Sequence, residues 1–227
     1  MLRAIGERLF GGSCFLCKGK ACALLCAACD ADLPRLGGEL CPRCALASPA
    51  GALCGRCATH PPAYDATVAA LAYRFPADVM VQAFKFRSEL ALAPFFGELL
   101  AQRAAASPRV DFLVPVPLSA ARLRERGFNQ ALEIARAVAA ATRPRLAPEL
   151  CERTSDTRAQ FDLPMDERAK NVRGAFRASG FLEGARIAII DDVMTTGSTV
   201  GEIAATLKRA GAAFVANWVL ARTPAPA

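Results

Sequence analysis

Ile187-Ala188-Ile189-Ile190-Asp191-Asp192-Val193-Met194-Thr195-Thr196-Gly197-Ser198-Thr199 reads as an apolar strand ending in two carboxylates, then a short turn rich in hydroxyls, then the start of a helix. Ile187 to Ile190 form a continuous β-branched-rich run, suited to a strand buried on both faces of a parallel sheet. Strands of that kind deliver the residues at their carboxyl ends into the ligand crevice. Beyond the strand, Thr195, Thr196, Gly197, Ser198 and Thr199 can turn successive backbone N–H groups and hydroxyls toward one phosphate, at the positive end of a helix predicted to begin near Ser198. Gly197 permits the close approach. Asp191 and Asp192 cannot serve the phosphate, because like charges repel, so their natural partners are sugar hydroxyls or a hydrated Mg²⁺. A plain strand-turn-helix capped at Ser198 or Thr199 would satisfy the turn, but it needs no pair of acids.

The segment resembles the phosphoribosyl pyrophosphate signature of type I phosphoribosyltransferases: four apolar residues, two acids, a short spacer, then Thr-Gly-Ser. The resemblance implies that Asp191 and Asp192 hold the ribose 2′ and 3′ hydroxyls, and that Thr195 to Thr199 hold the 5′-phosphate.

At the other end of the chain the cysteines fall as Cys14-x-x-Cys17, Cys26-x-x-Cys29, Cys41-x-x-Cys44 and Cys54-x-x-Cys57. Four such knuckles make two tetrahedral thiolate sites. The simplest pairing joins the first knuckle to the second and the third to the fourth; interleaved pairing uses the same ligands. Cys22 and Cys151 lack partners at metal spacing and read as spare thiols, and His60 reads as an ordinary histidine beside Pro61-Pro62. The chain starts Met1-Leu2-Arg3-Ala4-Ile5-Gly6-Glu7-Arg8, without the apolar core of a signal peptide, so the expected compartment is the reducing cytoplasm, where paired CxxC motifs read as metal sites rather than disulfides. A redox CxxC would open a helix in a βαβ unit, whereas these lie among Gly and Pro. Two structural Zn²⁺ ions are expected, each contributing on the order of 10 kcal/mol to a segment with little core of its own.

With 227 residues and 53% hydrophobic content, the chain can bury one sizeable α/β core after its first sixty or so residues. The expected organisation is a double zinc ribbon over 1–60, a catalytic-type domain over 61–222 and a disordered tail over 223–227. No apolar stretch approaches the roughly 20 residues that span a bilayer. The formal net charge of +7 counts cysteines as neutral. Eight thiolates on two Zn²⁺ would bring residues 1–60 from +3 to −1, which leaves the positive excess in residues 122–177, with twelve basic against eight acidic side chains.

That region follows Asp111-Phe112-Leu113-Val114-Pro115-Val116-Pro117-Leu118-Ser119, a short strand halted by prolines. It begins Arg122-Leu123-Arg124-Glu125-Arg126-Gly127-Phe128-Asn129-Gln130 and continues into a helix whose expected core stripe is Leu132, Ala135, Val138 and Ala139. A second polar stretch runs from Arg153 through Arg158 and Arg168 to Phe176. These stretches are either solvated loops or the walls of a polyanion site, since arginines grip phosphates bidentately. Phe128, Phe161 and Phe176 lie in or near them, available to stack bases or to pack the core.

Taken together, several motifs resemble the ComF family of competence-associated, phosphoribosyltransferase-like proteins. They are the four knuckles, Phe84-Lys85-Phe86, Pro115-Val116-Pro117-Leu118, Arg124-x-Arg126-Gly127-Phe128-Asn129-Gln130, Thr157-x-x-Gln160, Glu167-Arg168-x-x-Asn171-Val172-Arg173-Gly174-Ala175-Phe176, the acid-bearing segment and Leu220-Ala221-Arg222. The resemblance spans nearly the whole chain. It implies a type I phosphoribosyltransferase-like parallel sheet flanked by helices, preceded by a small zinc-ribbon module whose sites each use four cysteines. Leu118 and Ser119 would stand where such enzymes bind pyrophosphate, and Arg153 to Asn171 where they carry a mobile catalytic loop. Phosphoribosyl pyrophosphate with Mg²⁺, or a nucleotide, is the implied ligand. In an active enzyme Asp191 and Asp192 would stabilise the ribosyl cation, while Arg126, Lys85 or Arg168 would neutralise the departing pyrophosphate. The implied biology is handling of single-stranded DNA during natural transformation, with Arg122, Arg124, Arg126, Arg153 and Arg158 on the nucleic acid. A helicase and a recombination mediator are the implied protein partners.

Overall fold

The computed structural model describes residues 12–154 and 172–225. Two short strands, β1 (Gly12–Ser13) and β2 (Lys20–Ala21), pair antiparallel around the first cysteine knuckle. The helix α1 (Ala27–Ala31) carries the second knuckle, and α2 (Gly55–Thr59) carries the fourth. The remainder alternates as α/β: β3 (Ala66–Ala72), α3 (Ala77–Phe86), α4 (Leu92–Ala104), β4 (Phe112–Pro115), α5 (Ala120–Arg126), α6 (Gln130–Ala141) and β5 (Arg145–Leu146), then β6 (Cys151–Arg153), β7 (Phe176–Ala178), β8 (Arg186–Met194), α7 (Ser198–Arg209) and β9 (Phe214–Arg222).

Five strands form one parallel sheet in the order β3-β9-β8-β4-β5, while β6 and β7 pair antiparallel beside it. The expected parallel sheet with flanking helices is therefore present. From β4 the chain steps outward to β5, and from β8 it steps the other way to β9, so the order reverses between β4 and β8. Such a switch point opens a crevice at the carboxyl ends of the strands.

The strand is longer than the apolar run Ile187 to Ile190: β8 continues through both acids to Met194. Period-two alternation sends Ala188 and Ile190 into one buried cluster with α3, α4 and α6, and Ile187 and Ile189 into the other with α7. The ladder between β4 and β8 ends at Pro115 opposite Ile190, with one further bond from Val116 N–H to the Ile190 carbonyl at 2.9 Å. Pro117 has no N–H to extend it. Asp191 and Asp192 thus stand just past the end of the neighbouring strand.

Two helices meet closely where α4 crosses α6. A Cβ on Gly97 would lie 2.2 Å from the Ala137 Cβ, so only glycine allows that approach. The stripe that α6 buries is Ala131, Ile134, Ala135 and Val138, with Leu132 half-buried. The expected stripe was off by part of a turn, because the helix starts at Gln130, with Asn129 as its N-cap, and turns its first residues inward.

The cysteine-rich segment does not float free of the sheet. Cys14, Ala21, Leu25 and Leu33 belong to the same buried cluster as Phe84, Phe96 and Leu100. Residues 34–42 run along the outer edge of β3, where Leu36 N–H bonds Ala70 O at 2.9 Å, Ala72 N–H bonds Pro34 O at 2.7 Å and Thr67 N–H bonds Pro42 O at 3.0 Å. An edge that could recruit another strand is thereby covered. No helix among the described residues is long and apolar enough to cross a membrane.

Candidate functional site: a cleft at the switch point

The crevice between β4 and β8 is a cleft of about 120 Å³. Lys85, Leu118, Arg122, Arg126, Arg153, Asp191, Asp192 and Thr195 to Thr199 all line it, so elements separated by more than a hundred residues converge there. Asn129, Gln130 and Tyr73, which the sequence reading did not assign to the site, line it as well.

The parity of β8 turns Asp192 toward α3, where Lys85 Nζ lies 3.0 Å from Asp192 Oδ1, with both side chains nearly out of solvent. Asp191 Oδ1 accepts from the Asp192 N–H at 2.9 Å. Burial, followed by the charge of Asp192, pushes the Asp191 carboxyl up to about 7 against the opposing pull of Lys85 and Arg126. One acid is thus held by an ammonium, while the other sits at the edge of ionisation near neutral pH.

The turn after β8 is tightly constrained. Gly197 has φ +83, and a Cβ there would meet Met194 Cε at 2.7 Å and Tyr64 Oη at 3.0 Å, so conformation and space both require glycine. Thr196 Oγ1 and Ser198 Oγ lie 2.8 Å apart at the start of the 12-residue helix α7. The helix start expected near Ser198 is met.

Across the cleft, Arg126 Nη1 donates to Gln130 Oε1 at 3.0 Å, and Asn129 Nδ2 donates to Val116 O at 3.0 Å while its Oδ1 caps α6. Arg126 Nε and Gln130 Nε2 are buried donors without a partner among the described residues. Unpaired buried donors are costly, and a ligand anion would satisfy them.

Other expected residues lie elsewhere. Ser119 does not line the cleft; its Oγ accepts from Arg122 N–H at 3.3 Å and caps α5. Arg124 is exposed on α5 outside the cleft, and Arg158 and Arg168 fall outside the described residues. Phe128 packs edge-on against Phe84 at 5.4 Å and Phe176 is buried, so both serve the core; Phe161 lies outside the described residues. The exposed aromatic beside the cleft is Phe86, 62% exposed, with the Arg126 guanidinium 5.3 Å from its ring centre.

The cysteines gather as the spacing suggested. The sulfurs of Cys14, Cys17, Cys26 and Cys29 lie within 4.8 Å of one another, and those of Cys41, Cys44, Cys54 and Cys57 form a second such group. Cys17 to Cys26 and Cys44 to Cys54 are 3.7 and 3.6 Å apart, close to the edge of about 3.8 Å in a tetrahedron with Zn–S bonds of about 2.3 Å. Burial raises the Cys41 thiol, but the backbone N–H groups of Cys54, Cys44 and Arg43 outweigh it and bring it down to about 6. Both groups can hold a metal ion and fit zinc. Each is built alike: a knuckle followed by a residue of positive φ, Lys18 or Ala45, and a short helix whose N-cap is a ligand, Cys26 or Cys54. His60 is exposed and bonded to Thr59 Oγ1 through Nδ1, apart from both groups.

Among curated proteins, the chain is 36% identical over 224 residues to the DNA utilization protein YhgH of Salmonella typhi, covering 93% of this chain and 97% of that protein. The chain belongs to the ComF and YhgH family. Competence protein ComFC of Streptococcus pneumoniae is 29% identical over 199 residues, covering 87% of each chain. No family model matches. A solved purine phosphoribosyltransferase from Pyrococcus horikoshii aligns at 18% identity with a TM-score of 0.36, over 59% of this chain and 72% of that one. At that score the likeness adds nothing to what the sheet order establishes.

Proposed function

We propose that this ComF-family protein binds a phosphoribosyl ligand, phosphoribosyl pyrophosphate with Mg²⁺ or a nucleotide carrying the same sugar phosphate, in the cleft between β4 and β8. The observation that carries the reading is one cleft in which an acid pair, a turn at a helix N-terminus and the unpartnered donors of Arg126 and Gln130 face each other. Thr195 to Thr199 take the 5′-phosphate. Asp191 and Asp192 accept from ribose hydroxyls, with Lys85 pairing Asp192 at 3.0 Å. Arg126 and Gln130 donate to a second phosphate or pyrophosphate. Mg²⁺, held near the acid pair, would supply charge neutralisation on that pyrophosphate. Phe86 offers a flat face at the rim for a base.

The names of the relatives, a DNA utilization protein and a competence protein, extend the proposal to single-stranded DNA, with Arg122 and Arg124 of α5 on its phosphates. Ribose 5-phosphate or phosphoribosyl pyrophosphate at 100 times its dissociation constant stabilises the fold by about 2.7 kcal/mol and raises the melting temperature by roughly 5 to 11 °C. No shift with either ligand removes the phosphoribosyl reading. For DNA, the slope of log affinity on log salt falls by about 1.4 when Arg122 and Arg124 become Ala, at roughly 0.7 per phosphate contact; an unchanged slope moves the DNA surface elsewhere. Intact Asp191 and Asp192 favour an active transferase as a second reading, tested by pyrophosphate release across a panel of nucleobases and amines.

A further inference from the structure

Arg222 closes β9 and is 3% exposed. Its Nε donates to the Cys44 carbonyl at 2.8 Å, and its Nη1 donates to the carbonyls of Met194 at 2.9 Å, of Thr195 and of Thr223 at 3.0 Å. Cys44 is a ligand of the second cysteine group, while Met194 and Thr195 open the phosphate-binding turn. One guanidinium therefore joins a metal ligand to that turn across 178 residues of sequence. A second tie runs parallel: Arg56, in the helix between ligands Cys54 and Cys57, donates through Nη2 to Thr196 O at 3.1 Å. Between the two, buried Tyr64 packs against Gly197 and Gly201. The first cysteine group makes no such tie among the described residues; it packs on α4.

In a trans peptide the C=O and the following N–H point in opposite directions. With the carbonyls of Met194, Thr195 and Thr196 drawn to Arg222 and Arg56, the amides of Thr195, Thr196 and Gly197 are aimed away from the cysteine group. In the phosphoribosyl reading, those amides are the anion donors of the turn.

We propose that the second cysteine group is the mount of the phosphate-binding turn, with Arg222 as the positioning residue and Arg56 as its outer support. The two cysteine groups, alike in build, then differ in function: metal in the second sets the direction of the anion donors, and metal in the first does not. The inference rests on reading the turn as the phosphate site, and its first test is independent of any ligand.

That test is amide exchange in the metal-loaded full chain at Gly201 and Thr223, whose acceptors are the Gly197 and Met194 carbonyls at 2.8 and 3.0 Å. Arg222→Lys keeps the charge but loses the fork, and it is expected to speed both amides about tenfold while the middle of β9 stays protected. Cys54→Ser, which empties the second group, is expected to do the same, and Cys17→Ser, which empties the first, is not. Arg56→Ala removes only an exposed side chain and keeps the proposal testable should Arg222→Lys not fold; it is expected to speed Gly201 by about threefold. Unchanged exchange in Arg222→Lys and Arg56→Ala, or equal effects of Cys17→Ser and Cys54→Ser, overturns the proposal. The second test is ribose 5-phosphate affinity, expected to fall about tenfold in Arg222→Lys. If the exchange effects appear but the wild-type chain binds no ribose 5-phosphate, the mount stands and the phosphoribosyl reading falls.

Discussion

Replacing Lys85 with Met removes the ammonium 3.0 Å from Asp192 Oδ1. Both residues are 7% exposed, so water does not screen what remains: two adjacent carboxylates, Asp191 and Asp192, with one cation fewer. Breaking a buried pair by removing one partner costs about 3 to 5 kcal/mol. For a chain of this size that is a fall in melting temperature of roughly 6 to 20 °C. The cost has a sign in pH. Without Lys85 one of the opposing pulls on the Asp191 carboxyl is lost, so its folded pKa, already about 7, rises further above the unfolded value. The destabilisation is then full above neutral pH and fades as pH falls toward the unfolded value of about 4. Thermal or urea unfolding of wild type and Lys85→Met at pH 8 and pH 5 measures both points. The double variant Lys85→Met, Asp192→Leu should recover most of the loss, because the carboxylate that Lys85 pairs is gone as well and Asp191 keeps the pull of Arg126. A variant as stable as wild type at pH 8, or a loss of the same size at pH 5, refutes the pairing.

Gly197→Ala forces a side chain into φ +83 and against Met194 and Tyr64; it should cost about 2 to 3 kcal/mol in unfolding free energy and weaken ribose 5-phosphate binding, and wild-type behaviour in both would mean the turn is not constrained as described. Because burial holds Asp191 at about 7, affinity for a ribose ligand should rise roughly tenfold from pH 6 to pH 8 as the carboxylate ionises, a dependence that Asp191→Asn flattens to the titration of the ligand itself. The same raised pKa lowers the stability of the unliganded fold as pH rises from about 4 through about 7, and the Asn variant lacks that decline. Elemental analysis should return two zinc ions per chain and one in Cys17→Ser; two ions in that variant would break the ligand assignment.

The crevice was legible in the sequence because its chemistry is local. Ile187 to Thr199 carries strand, acids, turn and helix start in thirteen residues, and each takes its conformation from its neighbours. The cysteine pairing was legible for the same reason, since hairpin-length gaps leave few ways to gather four sulfurs. What the sequence hid depends on distance. Gln130 looked like the end of a motif, yet its side chain completes the wall opposite Asp191 because α6 starts at the lip of the cleft. Arg222 entered only as the end of the motif Leu220-Ala221-Arg222, and its four carbonyl partners come from three segments of the chain. Phe128 and Phe86 both lie beside charged residues in the sequence, but the side of the helix or turn on which each falls packs one against the core and leaves the other in solvent.

The central claim is that the cleft between β4 and β8 takes a phosphoribosyl ligand through Asp191, Asp192 and the turn Thr195 to Thr199. Calorimetric titration of the zinc-loaded chain with phosphoribosyl pyrophosphate and Mg²⁺ tests it most directly. Saturable one-to-one binding, weakened at least about tenfold in Asp191→Asn, Asp192→Asn, is the predicted result. Heats that never saturate, or affinity unchanged in that double variant, would contradict it.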